Sequence, residues 1–318
     1  MPFLGNEMTT VCKYSGDRKG EWNAFLGKSK NGLFLFHRDY MEYHADRFVD
    51  FSLMVYDGRE LVALLPANVE GNVCVSHGGL TFGGFVTSSA MRTPAMLSVF
   101  GEVVDYLRAS ALSRLVYKCV PYVYHSMPSE EDRYALFRMG ARLVRRDVTS
   151  AIYLPRKLRF QELRRRGIKK AVGAGLEVKE VDDLAPFWVV LEANLAERHH
   201  TKPVHSCAEM EYLRGKFPEN IKLFACCRKD TLLAGVVVYE SAHVAHAQYI
   251  ASSDEGRQSG ALDMVFSHLL NDHYRDKDYF DFGISTENNG QYLNESLVSF
   301  KEGFGARAVV HDFYEVGI

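Results

Sequence analysis

The stretch EGRQSGALDMVFSHLL, residues 255–270, sets glycines and small polar residues directly ahead of an apolar pattern of helical period. Gly256, Arg257, Gln258, Ser259 and Gly260 read as a side-chain-poor turn. A helix entered from such a turn exposes backbone N–H groups at the positive end of its dipole. That suits a phosphate, and it equally suits an ordinary loop entering an ordinary helix. Upstream, IKLFACCRKDTLLAGVVVYESAHVAHAQYIASSDEG (221–256) holds two strand-like runs hinged at Lys229–Asp230, then a third from Val244. Downstream, YFDFGIS (279–285) is a short strand. Two or three antiparallel strands, a turn, a helix and another strand make an α/β unit.

The same order occurs earlier in the chain. FSLMVYDGRELVALLPANVEGNVCVSHGGLTFGG (51–84) has two strand-like runs hinged at Asp57–Gly58 and a third around Val73–Val75. Placing Leu61 on Leu232 also places Val73 on Val244 and His77 on Gln248. A helical pattern, AMLSVFGEVVDYLRAS, and a short strand, RLVYKC, follow in the first half. Each half closes on Gly-Ala-Arg: Gly140, Ala141, Arg142 and Gly305, Ala306, Arg307. The expectation is α/β (α+β): a tandem duplication in which each copy is a mixed, largely antiparallel sheet flanked by helices. Its parts are an N-terminal domain 1–154, a basic linker helix 155–175 and a C-terminal domain 176–318. The linker carries eight cations between Arg156 and Lys170 against one acid, Glu162, so it reads either as a solvated connector or as an electropositive flank.

Composition narrows the class. With 318 residues, 47% hydrophobic and 25% charged, the chain has the make-up of a globular protein with a sizeable core. A formal net charge of −2 argues against wholesale coating of DNA. No apolar run approaches the roughly 20 residues of a membrane span, and no signal-peptide pattern opens the sequence. The six cysteines lack Cys-x-x-Cys spacing, which suits reduced thiols and a cytoplasmic location.

The meander feeding a strand–turn–helix–strand unit resembles the acyl-CoA-dependent N-acyltransferase superfamily commonly called GNAT. In that superfamily a Gln/Arg-x-x-Gly-x-Gly/Ala turn holds the pyrophosphate of coenzyme A. Here Arg257-Gln258-Ser259-Gly260-Ala261-Leu262 matches Arg-x-x-Gly, with Leu262 where Gly or Ala is usual. SSAMRTPAMLSVF (88–100) in the first half has no such turn, so the resemblance implies one coenzyme A site, in the C-terminal domain. That asymmetry, LRRRGIKKAVGAGLEV (163–178) and FKEGFGARAVVHDF (300–313) resemble the two-domain FemAB-like branch. HRDYMEYHADRF, SHGGLTFGG and ERHHTKPVH are similar to members associated with bacterial surface polysaccharide, lipopolysaccharide O-antigen or capsule.

The resemblance implies acyl transfer from acyl-CoA to the amine of a nucleotide-linked, in its narrowest form dTDP-linked, amino deoxysugar. Arg257, Gln258, Ser259, Gly260, Ala261 and Asn294 are expected on the cofactor. The family's tyrosine general acid has Phe300 near its place, with Tyr292 the nearest substitute. A transferase drawing on aminoacyl-tRNA and a catalytically inactive binding protein are the other readings. The partners are thus acyl-CoA and a sugar nucleotide, with tRNA only under the alternative; a homodimer stays open.

N-acyl transfer needs a neutral amine, and an α-amino group with a pKa near 7.7–8.0 must lose a proton to a base. His77, in a glycine-rich turn after a strand, and His200, in the polar ERHHTKPVH segment, are the base candidates. Each also fits a structural histidine. Asp281, a carboxylate inside an apolar strand, either orients a catalytic group or bonds a neighbouring strand. Tyr43, His44 and Arg47, with Tyr40, form an aromatic and cationic surface suited to a nucleotide, or else ordinary packing. His125, His199, Lys202 and His205 complete the acceptor-side candidates. His246 and His243 flank a strand and read as packed or exposed residues. His199, His200 and His205 lack His-Glu-x-x-His spacing and no metal is expected.

Overall fold

Alternating apolar positions and a hinge with positive φ fold each half around a β-hairpin. Gly58 (φ 58°) turns the first, and Lys229 (φ 53°) the second. The computed structural model describes residues 9–199 and 201–318. Contacts divide the chain into two units: residues up to Asp147 with Val310–Ile318, and Val148–Val309.

In the first unit, β1 (Thr9–Lys13), β2 (Leu53–Asp57), β3 (Glu60–Leu65) and β5 (Val86–Thr87) form an antiparallel sheet. Helix α1 is Lys19–Leu26. Strand β4 (Val73–Val75) instead runs parallel to β6 (Arg114–Lys118), with Val73 opposite Arg114. The crossover between them carries α2 (Thr93–Ala109), which opens with Pro94 in its first turn. Its apolar face (Met96, Val99, Phe100, Val103 and Leu107) joins Leu53, Val55, Phe85 and Tyr117 in one core. Helix α3 (Glu131–Arg138) follows, then β7 (Arg142–Tyr153), which crosses from the first unit into the second.

The second unit repeats this order. It begins with α4 (Glu162–Gly173), β8 (Glu177–Val181), α5 (Ala185–His199) and α6 (Cys207–Lys216). Ser206 and Glu209 close α6 with a reciprocal capping box. Strands β9 (Ile221–Arg228), β10 (Thr231–Glu240) and β11 (Val244–Ser252) form an antiparallel meander with β8 on its edge. Helices α7 (Asp254–Ser259) and α8 (Ala261–His268) make the crossover to β12 (Tyr279–Ile284). β12 pairs parallel with β11 and antiparallel with β7. Helix α9 (Glu295–Glu302) and β13 (Arg307–Gly317) end the chain. The core is aromatic: Phe266 meets Phe282 at 4.8 Å and Phe304 at 5.1 Å between ring centroids. Each fully buried ring contributes about 2 kcal/mol.

The expected order of strands and helices is therefore present twice, as a mixed and largely antiparallel α/β fold. Two boundaries differ from the sequence reading. Residues 310–318 pack in the first unit, because β13 pairs with β6 (Phe313 opposite Lys118). The basic segment belongs to the second unit and packs on its core through Ala171 of α4, fully buried in one cluster with Val265 and Phe266.

Candidate active site

The second unit contains a fork between two parallel strands. β11 and β12 pair through Val244–Tyr279, Ala245–Phe280 and His246–Asp281, where their ladder ends. Both strands are irregular just beyond. The register of β11 against β10 shifts at Gln248, and that of β12 against β7 shifts between Asp281 and Ile284. In β12 the shift includes Gly283, whose φ of 78° a glycine adopts without penalty. A bulge bends its strand and raises the local twist, so two bulges on the outer edges part the strands. Lys301 of α9 steadies the parted end of β12. Its ammonium donates to the Gly283 carbonyl (2.7 Å), the Ile284 carbonyl (2.9 Å) and the Ser285 hydroxyl (2.8 Å). Burial pushes the Lys301 pKa down to about 8, opposed by the carboxylate of Asp281.

At the far end of β11 the chain enters helix directly. Ser253 caps α7, its hydroxyl accepting from the Gly256 N–H at 3.0 Å. The open turn expected over residues 256–260 is thus a helical turn with a break at Gly260 (φ 78°), after which α8 begins. Asp254 and Glu255 occupy the first turn of α7, where negative side chains already use the helix dipole. Packing explains both glycines. A Cβ on Gly256 would strike the Leu233 carbonyl and the Ser252 hydroxyl, and one on Gly260 would strike the backbone of Gly167 in α4.

A cavity of about 590 Å³ opens here, lined by Gly256, Arg257, Gly260, Leu262, Asp263, the 250–252 end of β11, Arg164, Leu191, Asn194, Leu195, Glu287, Asn294, Ser296, Leu297 and Phe300. Its volume lies within the range of small-molecule sites. Arg164 spans two functions: it bonds Asp263 at 2.7 Å and lies 4.9 Å over the Phe300 ring. Desolvation raises the Asp263 pKa, against the pull of Arg164. Two arginines and two carboxylates (Asp263 and Glu287) nearly cancel on this wall. The adjoining α4 supplies positive charge through exposed Arg165, Arg166, Lys169 and Lys170.

Among the expected cofactor residues, Arg257, Gly260 and Asn294 line the cavity. The Arg257 guanidinium turns back on its own helix start, donating to the Ser252 carbonyl at 2.7 Å and pairing with Asp254. Asn294 caps α9, accepting from the Leu297 N–H at 3.1 Å and donating to Glu287. Gln258 is exposed, the buried Ser259 hydroxyl donates to the Gly256 carbonyl, and Ala261 is in the core. Tyr292 sits exposed on a two-stranded ribbon opposite Glu287. Asp281 lies at the fork.

His77 is in the first unit, buried, with φ 60°. Its carbonyl and that of Leu80 accept from the buried Lys118 ammonium, whose pKa burial and nearby Arg145 push down to about 7. Tyr43 packs edge-on to Tyr40 at 6.1 Å, and Arg47 is exposed near Asp46. The His125 Nε2 lies 3.2 Å from the Val120 carbonyl, and burial pushes its pKa down to about 4. In the second unit, His205 is buried with Nδ1 2.5 Å from the Tyr249 hydroxyl, and Lys202 is exposed. His200 and the side chains of His44 and His199 lie outside the described residues.

The sequence reading missed Arg164, Asp263 and Glu287 at the cavity and set His246 aside. Arg164 was hidden inside a run of cations, whereas Lys301 stood in the noted FKEGFG segment without a role. Among the described residues no group of histidines, cysteines and carboxylates could hold a metal ion, and no helix is long and apolar enough to cross a membrane.

Residues 159–292, which contain the fork and most of the cavity wall, match the family model of the acetyltransferase (GNAT) domain. Solved structures share the fold over nearly the whole chain. The crystal structure of FemX superposes with a TM-score of 0.66 at 11% identity, covering 95% of this chain and 96% of that one. L-PGS from Bacillus licheniformis gives 0.62 at 13% identity, covering 96% and 92%. A tandem GNAT protein from the clavulanic acid biosynthesis pathway gives 0.53 at 12% identity, covering 98% of each chain. No curated protein matches the chain. The class is thus a GNAT-like fold in tandem arrangement, with an acetyltransferase domain signature over the second unit.

Proposed function

We propose that this protein is an N-acyltransferase that moves an acyl group from acyl-CoA to the amino group of a nucleotide-linked amino sugar, in the cytoplasm. One observation carries the reading: a cavity at the Gly260 helix break adjoins a strand whose parallel neighbour has parted from it. The parted edge offers backbone N–H and C=O groups to an extended ligand, as an exposed sheet edge does. The break at Gly260 and the cations of α4 suit the donor's phosphates, and Leu191, Leu195, Ile250, Leu297 and Phe300 give an apolar wall.

The amine attacks the thioester carbonyl carbon, a C–N bond forms, and the C–S bond of the tetrahedral intermediate breaks. One proton leaves the nitrogen and one reaches the departing thiolate, giving an amide and free thiol. Holding the two reactants in line supplies up to about 7–11 kcal/mol of the barrier reduction. N–H donors along the strand edge stabilise the oxyanion. Among the described residues the cavity wall carries Phe300 and no tyrosine, so solvent protonates the thiolate. The sugar-nucleotide acceptor, dTDP-linked in the narrowest form and destined for surface polysaccharide, rests on the resemblance of SHGGLTFGG and ERHHTKPVH.

The exposed cations of α4 favour a second donor, aminoacyl-tRNA, because a polyanion gains affinity from each neutralised phosphate. Incubation with a panel of acyl-CoAs and nucleotide amino sugars, reading thiol release and product mass, separates the two. The proposal predicts acceptor-dependent thiol release and an amide of matching mass. Absence of any acylated product, together with salt-sensitive tRNA binding, contradicts it.

A further inference from the structure

The proposed chemistry requires a base beside the thioester, and the fork contains a histidine–carboxylate pair directly opposite each other on parallel strands. His246 Nδ1 lies 3.0 Å from Asp281 Oδ2. The other Asp281 oxygen accepts from the Thr149 hydroxyl and, at 3.0 Å, from the Gly283 N–H. Asp281 is fully buried, and the Lys301 ammonium exerts an electrostatic pull on it. A carboxylate accepts hydrogen bonds and does not donate them, so this constellation fits an ionised Asp281. Opposite an ionised Asp281 the shared proton belongs to Nδ1, which makes Nε2 the acceptor nitrogen of the ring. The His246 side chain is 13% exposed, which gives the ring a route to a ligand that the buried aspartate lacks.

Position ties the pair to the reaction. His246 is the last paired residue of β11 before the strands part, and residues 250–252 of that strand form the cavity wall. Four residues of strand cover about 13 Å, a span suited to an extended donor with its phosphates at the cavity and its thioester at the fork. Gly283 beside the ring has no Cβ, and one added there would meet His246 Cε1 at 3.5 Å.

We propose that His246 is the general base of acyl transfer and that Asp281 is its positioning residue, an inference that rests on the acyl-transfer reading above. Nε2 takes the proton from the amine nitrogen as the C–N bond forms, and the imidazolium is stabilised by Asp281. The proton is then released to the departing thiolate or to solvent, which restores the neutral ring.

The test compares wild type, His246→Gln, His246→Ala and Asp281→Asn in the acyl-transfer assay. Removing the base lowers kcat by about 10²–10⁴-fold, with the donor KM within a few-fold. Imidazole restores part of the turnover to His246→Ala and none to His246→Gln. Asp281→Asn lowers kcat and is not rescued. Mapping diethyl pyrocarbonate modification of the wild-type protein by mass spectrometry gives a readout independent of variant folding: an acyl-CoA that binds protects His246. Near-wild-type kcat in His246→Gln, or equal modification of His246 with and without bound donor, overturns the assignment while leaving acyl transfer standing. A wild type that acylates nothing overturns both.

Discussion

Asp281, Lys301 and His125 show how burial decides what a polar residue in this chain does. The carboxylate of Asp281 is tolerated at the centre of a sheet because three donors and a nearby ammonium meet it; an unpaired buried charge costs several kcal/mol. Lys301 remains buried by donating to three acceptors at once. The His125 ring meets the Val120 carbonyl at 3.2 Å, and desolvation pushes its pKa down to about 4 from the ordinary 6.5. The folded state therefore binds fewer protons at this site than the unfolded state between these values. Its effect on stability is flat above pH 6.5, falls as the pH drops towards 4, and amounts to at most about 3 kcal/mol. His125→Gln should flatten that fall in urea midpoints taken from pH 7 to pH 4. An unchanged slope in the variant contradicts the burial argument. Asp132, raised to about 6 by burial, works in the opposite sense in both proteins and drops out of the difference.

At the scale of elements, helices α4, α7 and α8 meet at glycines. Gly260 carries a left-handed φ, and its Cα lies against the backbone of Gly167; Gly167 in turn leaves room for the Asp263 carboxylate that Arg164 holds. Gly260→Ala incurs both the left-handed penalty and an overpacked helix contact, together about 2–4 kcal/mol. A lower denaturation midpoint is expected even without ligand, and an unaltered midpoint contradicts this packing. These elements were only partly legible in the sequence. Strand and helix order followed from periodicity and hinges, since local pattern and tertiary fold agree there. The purpose of EGRQSG was not legible: residues 254–259 look like a loop because glycine and serine are weak helix formers, yet the Ser253 cap and the close approach to β10 make them helical. The fork was also hidden, because strand pairing that stops after three residues leaves no local signature.

Across the whole molecule the two units use the same plan with different outcomes. In both, a meander strand pairs parallel with the strand after a helical crossover, and the aligned positions His77 and Gln248 both mark a departure from regular strand geometry. In the second unit this break is followed by the Gly260 helix start and the cavity of about 590 Å³. The plan occurs twice, and fold was more readable than site because periodicity is distributed over many residues, whereas a site depends on a few. The central claim is that the second unit binds an acyl donor along β11. A crystal structure with a non-hydrolysable acyl-CoA bound tests it most directly. The account predicts the pyrophosphate at Gly260–Leu262 and the thioester carbonyl at the fork beside His246; a donor seated away from residues 246–262 would contradict it.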